Sequence, residues 1–188
     1  MARQEIRFAG FGGQGLLLAG IILGKTACLY GGKQAAQTQS YGTEARGGAS
    51  QCNVVIDEKE ITYVGVVNPD VFVVMSQEAY EKLIEEVKDG GLVFYDSDLV
   101  RIKEKPKMRQ VPVSSTSCAK ELGRQMVANV VMLGAMVEGT KILEPNQVKV
   151  CLKESVPPAT VELNLKAFDL GRALVKEESK FGVKGESK

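Results

Sequence analysis

Val71-Phe72-Val73-Val74-Met75 is an unbroken apolar run, followed by helical spacing over residues 77 to 88 and then by Leu92-Val93-Phe94-Tyr95. A continuous apolar run, rather than an alternating one, is what a central parallel strand buried on both faces requires. The stretch between the two runs carries Tyr80, Leu83, Ile84 and Val87 on one stripe, and Asp89-Gly90-Gly91 closes it. That repeat is helical. Strand, helix, strand in this order is a βαβ unit. The chain is therefore read as α/β, a single domain with a largely parallel sheet flanked by helices.

Upstream, Ile6-Arg7-Phe8-Ala9 predicts a short strand, and a glycine-rich turn leads from it into an apolar helix that runs to about Tyr30. Gly31-Gly32 then offers the left-handed stop that a helix C-terminus uses. Residues 33 to 39 read as extended, and Ser40-Tyr41-Gly42-Thr43-Glu44-Ala45-Arg46-Gly47-Gly48 as a loop. Residues 50 to 56 and 61 to 67 are β-branched and flank the charged Asp57-Glu58-Lys59-Glu60, which predicts a β-hairpin between them.

Downstream, residues 101 to 110 are charged and read as edge or loop. Val111-Pro112-Val113 reads as a short edge strand, because proline cannot donate to a ladder. One long helix is expected from about residue 116 to 138, with Leu122, Met126, Val130, Leu133 and Val137 on one stripe. Its second half is apolar all round except Asn129, so it belongs at the centre of the core, with Asn129 as a satisfied core amide. Pro145 can open a short helix, Pro157-Pro158 breaks the chain, and a last helix spans about 159 to 176. Residues 1–176 thus form the domain, and 177–188, rich in Lys, Glu, Ser and Gly, a frayed tail.

Composition narrows the chemistry. With 24 Lys+Arg against 23 Asp+Glu, the net charge of +1 lacks the basic excess of a nucleic-acid binder. The apolar stretches at 16 to 23 and 126 to 137 are too short to span a bilayer, so no membrane insertion is expected and both read as buried helices. The chain contains no histidine, which removes the commonest general base and metal ligand. Cys28, Cys52, Cys118 and Cys151 contain no C-x-x-C pair, so neither a zinc nor an iron–sulfur site is expected in this chain. No signal peptide is read before the first strand, and free core thiols in a reducing cytoplasm are the expectation. Charge is uneven: residues 1–56 carry +3, residues 57–100 carry −8, and no carboxylate lies between Glu5 and Glu44.

Two loops could carry function. Gly10-Phe11-Gly12-Gly13-Gln14-Gly15 fits G-x-G-x-x-G directly between a strand and a helix. Glycines there let the backbone approach a phosphate, and a helix N-terminus favours an anion. The ribose-binding acid expected about twenty residues on is absent, where the chain reads Gly31-Gly32-Lys33. A phosphate, cofactor or partner contact and a merely tight turn both remain open. In the second loop, Arg46 before Gly47-Gly48 could fork onto a phosphate or carboxylate, or pair locally with Glu44. Asp96 and Asp98 follow a strand's carboxyl end, as functional groups or as a solvated turn.

The two loops together carry a resemblance. GFGGQG at 10–15, QSYGTEARGGAS at 39–50, NPDVFVVMSQEAY at 68–80 and ANVVMLGA at 128–135, followed by a helix with Asn164 and Phe168, resemble the gamma subunit of 2-oxoacid:ferredoxin oxidoreductases. The match runs from about residue 5 to 172 and looks most like the 2-oxoglutarate or general 2-oxoacid branch. The resemblance implies the fold of domain III of pyruvate:ferredoxin oxidoreductase. It also implies assembly with alpha and beta subunits, often with a ferredoxin-like delta, and ferredoxin as the acceptor of the complex. Thiamine diphosphate, Mg2+ and [4Fe-4S] clusters would then belong to partner subunits, with no catalytic or metal-binding residue in this chain. Gly10, Gly12, Gly13, Gln14 and Gly15, with Tyr41, Gly42, Glu44, Arg46, Gly47 and Gly48, would face the active site, the coenzyme A channel or the partners. An autonomous dinucleotide-binding oxidoreductase and a purely structural scaffold are the rival readings.

Overall fold

The computed structural model describes residues 3–40 and 49–181. Its elements are β1 (Gln4–Phe11), α1 (Leu16–Leu29), β2 (Gln34–Ser40), β3 (Ala49–Asp57), β4 (Val71–Val74), α2 (Gln77–Leu83), β5 (Leu92–Asp96), β6 (Arg109–Val113), α3 (Ser115–Glu121), α4 (Ala128–Thr140), α5 (Pro145–Ser155) and α6 (Val161–Phe181). The six strands form one sheet in the order β2-β3-β1-β4-β5-β6. β1, β4, β5 and β6 are parallel, while β3 runs antiparallel to both β1 and β2.

The sheet buries both faces. Ile6, Phe8, Cys52, Val54, Val71, Val73 and Phe94 pack on the side of α1, α4, α5 and α6, whereas Ala9, Phe72, Val74 and Val93 pack on α2. Val71 to Val74 are each 3% exposed or less, as their unbroken apolar run requires. Tyr80, Leu83, Ile84 and Val87 are all buried, although regular α-helix gives way to a 3-10 turn at Ile84–Glu86. α1 stops where the double glycine stands: Tyr30 and Gly31 N–H both reach Thr26 O, and Gly32 takes φ +61°.

The hairpin forms with a different partner from the one anticipated. Residues 61 to 67 are not a strand. β3 is bordered by β1 and β2, so it has no free edge to offer them. The hairpin is β2–β3, built from the extended segment that precedes the second glycine loop. The 61–67 stretch is pinned instead by Arg7, only 3% exposed, whose guanidinium donates to Val66 O (2.6 Å) and Asn53 Oδ1 (3.0 Å) and pairs with Glu86.

The long helix anticipated over 116 to 138 is two helices. Gly123 adopts φ +81°, its N–H closes onto Lys120 O, and the chain re-enters through a 3-10 turn at Gln125–Val127. This break leaves Met126 72% exposed, where a core position had been read. α4 itself is buried from Ala128 to Glu138. It crosses α6 where Gly134 and Gly171 let the backbones touch: a Cβ on Gly134 would lie 2.9 Å from the Phe168 carbonyl carbon, and one on Gly171 2.7 Å from that of Val131.

β6 is the far edge strand, starting at Arg109, two residues before the apolar triplet. Pro145 opens α5 as anticipated, and Pro158–Thr160 form a 3-10 turn ahead of α6. The backbone of α6 continues to Phe181, and residues 182–188 lie outside the described residues. Only Cys52 and Cys151 are core thiols, since Cys28 is exposed and Cys118 half-buried. Among the described residues no helix is long and apolar enough to cross a membrane.

Candidate functional site

β1 is adjacent and parallel to β4, yet the chain leaves β1 for α1 on one face and β4 for α2 on the other. In an open α/β sheet, such a switch opens a crevice at the carboxyl ends of the strands. The first glycine loop lies there. Gly13 and Gly15 adopt φ +88° and +73°, conformations that favour glycine, and among the described residues no side chain caps the start of α1 at Leu16.

The loop is held from two sides. Gln14 accepts the Phe11 N–H on Oε1 (2.7 Å) and donates Nε2–H to Met75 O (2.9 Å), tying the turn to the end of β4. Asn129 on α4 donates Nδ2–H to Gly15 O (3.0 Å). These ties explain two of the glycines. A Cβ on Gly10 would overlap the Gln14 amide, and one on Gly15 would overlap the Asn129 amide, 2.9 Å from its Cγ. Gly12 is different: its φ is not in the left-handed range, and the nearest described atom to an added Cβ is Ser50 Oγ at 3.8 Å. Asn129, read as a satisfied amide, is satisfied on one side only. It is 4% exposed, and its Oδ1 has no hydrogen-bond partner among the described residues.

The crevice is about 340 Å3, walled by Gly12, Gln14, Met75, Thr116, Gln125 and Met126 among others, and none of its described lining residues is ionisable. A smaller cavity of about 170 Å3 adjoins it, sharing Gly13 and Met126 and lined also by Gly15, Asn129 and Asn164. Asp96 and Asp98, the two acids past a strand's carboxyl end, brace α3. Asp96 is fully buried and accepts from Ser115 Oγ and Thr116 Oγ1, both at 2.6 Å. Asp98 takes the Ser117 N–H (2.7 Å) and hydroxyl (2.8 Å).

The second glycine loop joins this end of the sheet. Tyr41, Gly42, Glu44, Arg46, Gly47 and Gly48 lie outside the described residues, but the strands on either side do not. Ser40 is paired with Gln51, and Ala49 and Ser50 with Phe11 and Gly10, so the second loop leaves and re-enters the sheet beside the first. The 24 residues between Gly15 and Ser40 carry no local signal of this adjacency.

Elsewhere, a cleft of about 410 Å3 opens at the opposite end of β5 and β6, beside Glu138. Burial pushes the Glu138 carboxyl up, but donation from Lys141 and Arg172 outweighs it and holds the group below the usual carboxylate range. Burial also pushes the Cys52 thiol up to about 11, although Gln37 donates to it.

Residues 5–174 match the pyruvate ferredoxin/flavodoxin oxidoreductase family. The chain belongs to that family. The likeness to gamma subunits, read from the glycine loops, residues 68–80 and 128–135 and the last helix, extends over most of the chain. The gamma subunit of a keto/oxoacid ferredoxin oxidoreductase from Geobacter sulfurreducens superposes with a TM-score of 0.86 at 40% identity, over 94% of this chain and 98% of that one. The 2-oxoglutarate synthase subunit KorC of Methanothermobacter thermautotrophicus is 48% identical, over 95% of this chain and 98% of its own length. The 2-oxoglutarate:ferredoxin oxidoreductase of Magnetococcus marinus, solved with 2-oxoglutarate, coenzyme A and succinyl-CoA bound, matches with a TM-score of 0.83 at 27% identity. That match covers 94% of this chain and 32% of the longer one, so there the same oxidoreductase unit is one part of a larger polypeptide. The sequence has no histidine, and no three Cys, Asp or Glu side chains converge among the described residues.

Proposed function

We propose that the chain is the gamma subunit of a coenzyme A-dependent 2-oxoglutarate:ferredoxin oxidoreductase, silent alone and active with alpha and beta subunits, with or without a delta subunit. In this reading thiamine diphosphate, Mg2+ and the [4Fe-4S] clusters belong to the partner subunits, ferredoxin is the acceptor, and the complex works in the cytoplasm. The two glycine loops face the coenzyme A channel or the partner surface. The observation that carries the assignment of the loops is Gly12. Gly10 and Gly15 are glycines because of Gln14 and Asn129, whereas nothing described inside the chain requires Gly12 to lack a side chain. A bare backbone facing a crevice whose described lining residues are not ionisable suits close approach by a phosphate or a partner's backbone. The first turn of α1 adds unpaired N–H groups and the positive end of its dipole.

Arg46 supplies the cation in this arrangement, reaching a coenzyme A phosphate or a carboxylate across the subunit boundary. A charge-assisted hydrogen bond is worth roughly 1.5 to 3 kcal/mol, so Arg46→Ala should raise the KM for coenzyme A about tenfold or more, or weaken assembly. Arg46→Lys should already be harmful, because an ammonium lacks the two-pronged fork. The experiment mixes the purified chain with alpha and beta subunits and follows ferredoxin reduction that depends on 2-oxoglutarate and coenzyme A. Turnover by the chain alone, full turnover by the partners without it, or tight binding of NAD to the isolated chain would each overturn the assignment.

A further inference from the structure

The cleft of about 410 Å3 at the other end of the strands has a chemistry of its own. β5 and β6 pair Leu92 with Arg109 and Phe94 with Val111, and strand alternation sets these four side chains on one face of the sheet. That is the face covered by α4 and α6, since Phe94 and Val111 belong to their core. α4 ends above it. Gly139 is bare there because a Cβ would lie 2.6 Å from Phe94 Cζ, and Lys141 turns the chain away at φ +54°. α6 runs past this end with Val175 and Lys176 on the cleft. The floor is therefore apolar, formed by Leu92, Phe94, Val111 and Val175, and the volume falls within the roughly 300–1,000 Å3 of small-molecule sites.

The rim is cationic. Arg109, Lys141 and Lys176 line the cleft with Glu138 as the one acid, three positive charges to one negative, an excess of two. Glu138 is 5% exposed and its oxygens are engaged: Lys141 donates to Oε1, Arg172 donates to Oε2 at 2.8 Å, and Lys176 stands 3.8 Å from Oε2. Arg172 alone neutralises it from outside the lining. Asp169, 3.5 Å from Arg172, has Lys149 at 2.7 Å. The negative carboxyl end of α4 accounts for Lys141. It does not account for Arg109 and Lys176, which come from a strand and from α6, and among the described residues no carboxylate pairs with Arg109.

We propose that this cleft binds a phosphate monoester with an apolar body, its head between Arg109 and Lys176 and its body on the apolar floor. A phosphate monoester carries about −1.5 to −2 at pH 7, which matches the excess of two, and a guanidinium fork fits its oxygens. One head holding both charges leaves the rest of the molecule free to be apolar. A dicarboxylate would set one of its charges on the floor. The site lies at the far end of the strands from the glycine loops, and the proposal stands apart from their assignment.

The test titrates the 15N-labelled full chain with phenyl phosphate to about 5 mM, the range of weak small-ligand binding, and follows amide chemical shifts. Saturable shifts are expected at Leu92, Val111, Gly139 and Val175. Inorganic phosphate, which lacks the body, and benzyl alcohol, which lacks the charge, should each bind roughly tenfold more weakly or worse. Arg109→Gln and Lys176→Gln remove exposed charges and should each weaken phenyl phosphate by roughly fivefold or more, with unchanged melting. Lys166→Gln, exposed on α6 and paired with Glu162 away from the cleft, is the control and should bind as wild type does. Absence of saturation in the wild type, shifts at Gly12 and Gly13 in place of those at the cleft, equal affinity for inorganic phosphate, or indifference to both variants would each overturn the proposal.

Discussion

Gly12 and Gly15 stand three residues apart in one loop, yet a side chain at each should have opposite consequences. At Gly15 the φ of +73° is left-handed, which disfavours an L-residue by about 1 kcal/mol. A Cβ there also overlaps the Asn129 amide. Displacing that amide breaks the Asn129 to Gly15 O hydrogen bond and leaves buried polar groups unpaired, for roughly another 1 to 3 kcal/mol. Gly15→Ala should therefore lose about 2 to 4 kcal/mol, a fall in Tm of roughly 5 to 15 °C at about 2 to 4 °C per kcal/mol for a chain of this size. At Gly12 neither term applies, since among the described residues the added Cβ meets only Ser50 Oγ, at ordinary contact distance. Gly12→Val should melt within about 0.5 kcal/mol of wild type and act on whatever approaches the loop. Thermal melting of the free chain, gel filtration of the assembled complex and steady-state kinetics in coenzyme A separate the two effects. If Gly12→Val assembles and turns over as wild type does, the loop is only a tight turn; if Gly15→Ala melts like wild type, the packing account of the loop is wrong.

Gly171→Val should cost about 3 kcal/mol or more by driving a side chain into the α4 backbone at Val131, read as lost soluble yield or a lower denaturation midpoint; a normal midpoint would show that the helix crossing yields. Glu138 has a lowered carboxyl value in the folded chain, so its stabilisation is present above the unfolded value of about 4.3 and is lost as pH falls through the folded one. Glu138→Gln should accordingly be less stable at pH 7 by roughly 1 to 3 kcal/mol, with the gap closing below about pH 4; a gap constant down to pH 3 would contradict this. Cys52 and Cys151, both buried, should resist a thiol reagent at pH 8 until the chain unfolds, and rapid native labelling of either, located by mass spectrometry, would argue against that burial.

The parts of the fold that could be read from sequence are those in which one local signal settles the outcome. Val71 to Val74 could only be a doubly buried strand, and Gly31-Gly32 could only end a helix. Where neighbours decide, reading failed. Residues 61 to 67 have strand composition, but β3 had given both edges to β1 and β2, and Arg7 claimed the segment instead. The stripe over 116 to 138 stays in phase through Gly123, and only its positive φ reveals two helices. The first candidate loop was legible as a motif, but its tether was not: Asn129 lies 114 residues from Gly15, and a lone asparagine in an apolar helix carries no mark of its target.

The Gln14 tether bears on how fast anything can dock on the first loop. Its two hydrogen bonds, to Phe11 N–H and Met75 O, together with the Asn129 tie, fasten the loop to β4 and α4 before any ligand or subunit arrives. A surface already in its final shape needs no slow rearrangement ahead of or after encounter. Observed association rates at this loop should therefore climb linearly with the concentration of the incoming molecule, with a single exponential phase and no plateau.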